Sequence, residues 1–209
     1  MNKPSSDIAF TRAVKALQAE HGSRKAYSKM EDNGGFRTAI DDDLVAFLAT
    51  VDTAYLATAN AEGQPYAQHR GGPKGFIHVL DERTIGFADY VGNRQYVTAG
   101  NLSENEKAFL FLMDYAHRRR VKVWGRARVV RDDPALMARL MRDGYRARPE
   151  QVIVFQVAAW DVNCPQHIPQ KFDAEDVAAA LAKLEERNRV LEAEKAALQR
   201  QLATAGKAQ

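Results

Sequence analysis

Hydrophobic and polar positions change their period several times along the chain. From Asp7 to Ala19, Ile8, Val14 and Leu17 recur among alanines at helical spacing, which predicts a short amphipathic helix. Residues 21–37 show no period and read as a connector. Asp41–Ala49 (DDDLVAFLA) reads as a second short helix, with Asp as its N-cap and acidic residues in its first turn. Alternation then takes over. Ala54–Ala59 and Pro65–Arg70 read as strands joined by a turn at Gly63, and Gly75–Leu80 and Thr84–Asp89 as strands joined by a second turn. Ala108–Ala116 and Arg119–Val130 follow. In the latter, Val121, Val123, Gly125, Ala127 and Val129 share one phase, and Lys122, Arg126 and Arg128 take the other. A helix over Pro134–Arg142 has Asp132 or Asp133 as cap and Pro at its first position. The apolar run QVIVFQVAAWDVN is a last strand ending near Cys164. Many short strands with few helices predict a closed or nearly closed antiparallel barrel.

After Asp173 the spacing becomes four and three. Leu181, Asn188, Lys195 and Leu202 occupy a, and Val177, Leu184, Leu191 and Leu198 occupy d. Two readings compete: a coiled coil between chains, or a single helix folded back to bury one leucine stripe. The two polar a positions favour the first, since a buried Asn at a specifies a two-stranded, in-register pair. In this frame Arg187 at g and Glu192 at the next e pair between parallel chains. The residues just before the seam, KFDAEDVAAA, are not basic, which argues against a basic leucine zipper. The expected organisation is a helical segment over 1–50, a barrel over 51–172, and a coiled-coil helix with tail over 173–209.

Charge and cysteine usage narrow the class only slightly. The 30 basic and 27 acidic residues leave a formal charge of +3, so local clustering has to identify any anionic partner. One cysteine, Cys164, precludes an internal disulfide framework and fits a reducing, cytoplasmic setting. No apolar run reaches the ~20 residues of a membrane span, and the first residues lack the apolar stretch of a secretory signal. The five histidines show no metal-ligand spacing.

Three basic clusters carry the candidate chemistry. In HRGGPKG, Arg70 is followed by Gly71, Gly72 and Pro73; this reads either as a basic turn or as a place where backbone approaches an anion beside a guanidinium. In GNRQYVTAGNL, Gly92 and Asn93 cap a helix opened by Arg94 and Gln95; this reads equally as an ordinary capped helix or as a phosphate site. In HRRRVK, Arg118 and Arg120 share one strand face and Arg119 lies on the other with Val121. That cluster is a charged hairpin edge or, on weaker grounds, a nucleic-acid contact. His69 and His167 read as structural or as acid–base groups, Cys164 as inert or, on weaker grounds, as a redox thiol, and Trp124 and Trp160 as packing, with Trp160 also a candidate to flank a planar ligand.

Taken in order, HRGGPKGF, FADYVGNRQY and RRRVKVWGRARVV, extended by AWDVNCPQHI, resemble the pyridoxamine 5′-phosphate oxidase-like superfamily of FMN-binding split barrels. The final motif is similar to that of a bacterial subgroup of flavin-nucleotide-binding proteins. The resemblance implies a mainly β, Greek-key-like split barrel with FMN as cofactor. It implies a homodimer with sites between subunits. It places Arg70, Gly71, Gly72 and Pro73 against flavin ring and phosphate, and Phe87, Ala88 and Asp89 along the cofactor. Asn93 and Arg94 fall where the family has a basic pair, and Arg120 where the oxidase has a Gln near the isoalloxazine. The oxidase's terminal Arg- and His-containing segment is replaced here by WDVNCPQHIPQKF, with only His167 and Lys171, which argues against pyridoxamine 5′-phosphate as substrate. The expected function is an FMN-dependent oxidoreductase acting on an unknown small molecule, with a nicotinamide nucleotide as donor. The alternative is a non-catalytic flavin or haem binder, or a sensor, using the coil as an interaction module.

Overall fold

The computed structural model describes residues 3–205 and divides into two compact units, Met1–Asp114 with Arg118–Ile168, and Tyr115–His117 with Pro169–Gln209. In the first unit, a 3₁₀ turn at Ser5–Ile8 precedes α1 (Arg12–Glu20), α2 (Arg24–Asp32) and α3 (Asp42–Thr50). Seven strands follow: β1 (Thr53–Ala59), β2 (Pro65–Gly71), β3 (His78–Asp81), β4 (Thr84–Tyr90), β5 (Lys107–Asp114), β6 (Arg119–Val130) and β7 (Pro149–Val162). Helix α4 (Val97–Glu104) joins β4 to β5, and α5 (Pro134–Leu140) joins β6 to β7.

All pairings are antiparallel, in the order β2-β1-β5-β6-β7-β4-β3, and the sheet does not close. It nevertheless curls around one core. Leu56 on β1, Leu110 on β5, Val123 on β6, Phe155 on β7 and Phe87 on β4 belong to one buried cluster, joined by Leu44, Phe47 and Leu48 of α3. The alternation read along β6 is observed, with Val121, Val123, Gly125 and Ala127 buried on one face. The fold is the mainly antiparallel split barrel with flanking helices.

The helices at the N-terminal end differ from expectation. The first predicted helix is interrupted, because Thr11 breaks it and caps α1 through Oγ1, which accepts the Val14 N–H at 3.3 Å. The predicted connector contains α2. Its few apolar residues conceal it, and its support is tertiary: Glu31 pairs with Arg24 and, at 3.0 Å, with Lys15 of α1, while Tyr27 packs edge-on against Phe10 with centroids 5.2 Å apart. The guanidinium of Arg24 holds the Glu31 carboxyl below its ordinary value against the opposing effect of burial. Helix α3 forms as expected, with the Asp41 carboxylate accepting the Leu44 N–H at 3.1 Å.

One ionisable group on the sheet gives a pH-dependent stability. His78 on β3 has its Nε2 buried without a partner. Burial, then the charges of Arg142 and Arg139, push its pKa below the ordinary 6.5. The unfolded chain therefore binds this proton at higher pH than the folded one, and stability falls as pH drops from 6.5 toward the depressed folded value. Urea midpoints at about pH 8 and about pH 5 should differ less for His78→Phe than for the wild type. An equal loss in both would assign the acid sensitivity elsewhere.

The second unit holds residues 115–117 and the segment leading into α6 (Ala174–Ala205). The Gln170 amide donates to Ala116 O at 2.8 Å, and the Lys171 ammonium lies 4.5 Å from the Tyr115 ring centroid. The 32 residues of α6 extend about 48 Å at 1.5 Å per residue. Within this unit Val177, Leu181, Leu184, Leu191, Leu198 and Leu202 are all exposed. The tail beyond residue 205 lies outside the described residues. Among the described residues, no helix is long and apolar enough to cross a membrane.

Candidate functional site

The gap in the sheet is bridged by side chains. Strand β2 is one edge, and β4 lies next to the opposite edge, yet Arg70 at the end of β2 forms an ion pair with Asp89 at the end of β4. Curling of the sheet brings the two strand ends together. Pleat alternation explains the choice of side chains: Tyr66, Gln68 and Arg70 share the inward phase of β2, while Ala67 and His69 face out.

A polar network runs through this gap. The Thr98 hydroxyl donates to Gln68 Oε1 at 2.8 Å, and Arg70 Nη2 donates to the same oxygen at 2.9 Å. Asp89 accepts from Arg70 on one oxygen and from Gln151 Nε2, at 2.8 Å, on the other. Gln151 Oε1 in turn accepts from Arg131 Nε at 3.2 Å. Asp89 and Gln151 are 8% and 4% exposed, so these contacts form largely away from water. Burial pushes the Arg70 guanidinium below its ordinary value, with Asp89 and then Tyr66 opposing the shift. One donor is left over: Arg70 Nε is buried and has no partner.

The network forms the floor of a cleft whose wall is the loop from β4 to α4. Lining residues include Arg70, Asp89, Asn93, Arg94, Tyr96 and Thr98, around a volume of about 50 Å³. The loop backbone is unusual, because Arg94 and Tyr96 both have left-handed φ, 59° and 55°. Asn93 Oδ1 accepts the Gln95 N–H at 3.2 Å. The Tyr96 hydroxyl donates to Glu150 at 2.7 Å, which raises the phenol pKa above its ordinary value. Helix α4 begins at Val97 rather than at Arg94, and its N-terminus has no side-chain cap. No side chain therefore caps the first-turn N–H groups, which stand at the positive end of the helix dipole.

The residues expected in the site separate into two groups. Arg70, Asp89, Asn93 and Arg94 converge on the cleft, and Gln95 lies in its loop. The remaining ones do not line it. Gly72 N donates to Asp52 O at 3.1 Å, and a Cβ on Gly72 would meet Phe76 Cβ at 2.7 Å. The Gly71–Gly72–Pro73 turn thus serves close chain packing. Phe87 and Ala88 are buried; Phe87 packs edge-on against Phe76 at 5.8 Å. Trp160 is 1% exposed, donates to Ala39 O at 2.8 Å and carries Arg37 over its ring at 4.6 Å, so it is a core residue. Trp124 also packs, stacked on Phe36 at 5.0 Å. Arg120 pairs in register with Met113, out of phase with buried Val121 and Val123, and so lies on the opposite sheet face from the cleft. Arg118 is in the turn before β6, with φ 53°, and does not share a strand face with Arg120.

Sequence reasoning missed Gln68, Thr98, Arg131, Glu150 and Gln151. Gln68 stands two positions from Arg70 and shares its phase, a signal that was available. Gln151 sits at the head of an apolar strand, where only the tertiary contact with Asp89 marks it.

A known protein family spans the sequence of all seven strands. The sequence profile described as pyridoxamine 5′-phosphate oxidase matches residues 40–164, more than half of the chain. No curated protein sequence matches it. Solved structures with similar folds include HupZ from Group A Streptococcus, at 17% identity, covering 63% of this chain and 99% of that one, with a TM-score of 0.48. An FMN-binding protein from Syntrophomonas wolfei is 12% identical, with coverages of 75% and 98% and a TM-score of 0.46. A Clostridium acetobutylicum protein related to general stress protein 26 is 14% identical, with coverages of 66% and 99% and a TM-score of 0.43. With residues 40–164 matched and the split antiparallel sheet observed, the chain belongs to the pyridoxamine 5′-phosphate oxidase family.

Proposed function

We propose that the cleft at the split of the barrel holds the phosphate end of flavin mononucleotide, and that the protein is an FMN-dependent oxidoreductase acting on a small molecule. The observation carrying this reading is the buried, unpartnered Nε of Arg70, set beside Arg94 and the uncapped start of α4. The donor set suits a phosphate dianion, which accepts charge-assisted bonds from guanidinium and backbone N–H together. The nearby carboxylates do not oppose it strongly, since Asp89 is held by Arg70 and Gln151, and Glu150 accepts from Tyr96. The volume of about 50 Å³ admits a phosphate and is far below the ~300 Å³ at which whole-ligand pockets begin. The tricyclic ring therefore lies outside this cleft.

When bound, flavin supplies hydride or electron transfer at N5, a chemistry that belongs to the cofactor. This chain's residues anchor and orient it. Arg94 supplies a positive charge from the loop. Arg70, whose charge is balanced by Asp89, supplies a fixed N–H donor, because Gln68 and Asp89 hold its guanidinium on two sides. The Arg- and His-containing terminal segment by which the oxidase recognises its substrate phosphate is replaced here, so the substrate is another small molecule, with a nicotinamide nucleotide as reductant.

The purified protein should show a flavin absorption spectrum and release FMN on denaturation. A colourless protein that takes up no FMN on titration rejects the proposal. Bound FMN that neither NADH nor NADPH reduces would leave the binding role and remove that reductant. Arg94→Ala should weaken FMN binding by about 1.5–3 kcal/mol, as for a lost charge-assisted bond, or roughly ten- to 150-fold in Kd. Wild-type affinity in this variant would exclude Arg94 from the phosphate site.

A further inference from the structure

We infer that α6 is a self-recognition element that zips, parallel and in register, with α6 of a second copy of this chain. The helix runs 32 residues without interruption, long enough for more than four heptads. Its own unit leaves the apolar stripe exposed: Leu181, Leu184, Leu198 and Leu202 are 53%, 61%, 59% and 72% exposed. Contiguous exposed leucines at a and d over this length mark an interface rather than a solvated surface.

The polar residues in the stripe determine the kind of occupant. Asn188 and Lys195 stand at a, whereas all four d positions, Val177, Leu184, Leu191 and Leu198, are apolar. In an antiparallel pair a layers face d layers, so Asn188 and Lys195 would each be set against an apolar side chain at any shift. In a parallel, in-register pair each a position meets itself. Asn188 then finds the partner's Asn188 and makes an amide–amide hydrogen bond, which also favours two strands over three. A parallel pair shifted by one heptad sets one chain's Asn188 against Lys195 but the other's against Leu181, and strands Lys195 against Leu202.

Flanking charges agree with this arrangement. In parallel register each g residue faces the e residue of the next heptad on the other helix. Those pairs are Ala180 with the partner's Glu185, Arg187 with the partner's Glu192, and Glu194 with the partner's Gln199. One is attractive, none sets like charges together, and symmetry doubles the attractive pair. Lys195 packs beside the partner's g position, where Glu194 can accept from its ammonium while the stem covers the seam. The heptad therefore matches itself in charge as well as in shape.

Site-directed disulfides test direction and register together on the full-length protein. The exposed native thiol is first removed as Cys164→Ser. In that background Leu191→Cys, at d, should form a self-disulfide in a glutathione redox buffer at least tenfold faster than Ala193→Cys, at f on the opposite side of the helix. Leu184→Cys, one heptad earlier at d, repeats the test should the first variant be poorly folded. Arg187→Glu should slow the Leu191→Cys crosslink, and adding Glu192→Arg should restore it, since the double reversal recreates the g–e attraction only in parallel register. Equal rates at d and f, no crosslink at either d position, or failure of the double reversal to recover the rate would overturn the inference. These readouts follow α6 alone, so they are independent of whether FMN binds in the cleft.

Discussion

Arg70→Ala is expected to destabilise the flavin-free protein by about 3–5 kcal/mol, the usual consequence of removing one partner from a buried ion pair, and to abolish FMN binding. The magnitude follows from burial. The side chains of Arg70 and Asp89 are 12% and 10% exposed, and they join strand ends at opposite sides of an open sheet. Without the guanidinium, Asp89 keeps only Gln151, and Gln68 loses one of its two donors. Urea unfolding measures the effect. The double variant Arg70→Met with Asp89→Leu separates stability from binding, because it removes both charges at once and leaves no buried carboxylate unpaired. It should recover most of the lost stability and still take up no FMN. If Arg70→Ala unfolds within about 1 kcal/mol of the wild type, the range of a surface ion pair, the bridge across the split is not a structural tie.

Gly125→Ala is expected to cost at least about 3 kcal/mol, at the upper end of overpacking effects. Gly125 lies at the register shift between β6 and β7, after Trp124. A Cβ built there would collide with the backbone carbonyl of Gln156, approach Phe155 Cε1 to 2.6 Å and lie 3.0 Å from the Gln156 carbonyl carbon. Neither strand can give way: β6 and β7 are central, and Phe155 is fully buried. The melting temperature should fall by roughly 6–12 °C for a chain of this size. Gly92→Ala is the control, because no atom lies within 4 Å of its Cβ position, and it should stay within about 0.5 kcal/mol of the wild type. Equal melting temperatures for both variants would mean that the bulge relaxes to accommodate a methyl.

Much of the architecture was legible because it depends on local periodicity. Strands β1, β2, β4, β5, β6 and β7 lie where alternation or unbroken apolar runs predict them, and α3 and α5 begin at the aspartates that cap them. The exceptions are elements whose stability is not local. Helix α2 has no clear apolar stripe of its own and relies on Glu31 binding cations from two helices. The expected helix start at Arg94 is displaced to Val97, because two residues in left-handed conformation interrupt the chain there.

The site was legible in part for the same reason. Arg70, Asp89, Asn93 and Arg94 stand at strand ends and in one loop, positions that a motif can mark. Arg120 and Trp160 do not line the cleft: Arg120 lies on the other sheet face, where its own Nε is buried without a partner, and Trp160 is enclosed in the core with its N–H bound to Ala39 O.

From the order of residues alone came the strands of the barrel and the basic residues able to meet an anion, which are properties of spacing within a few residues, and the family, which came from the resemblance of motifs in sequence order. Only the folded chain determined which of those residues meet. Curling of the sheet sets β2 against β4, and that long-range closure, invisible to any local period, selects Arg70 for Asp89, adds Gln68 and Gln151, and leaves one guanidinium N–H without a partner.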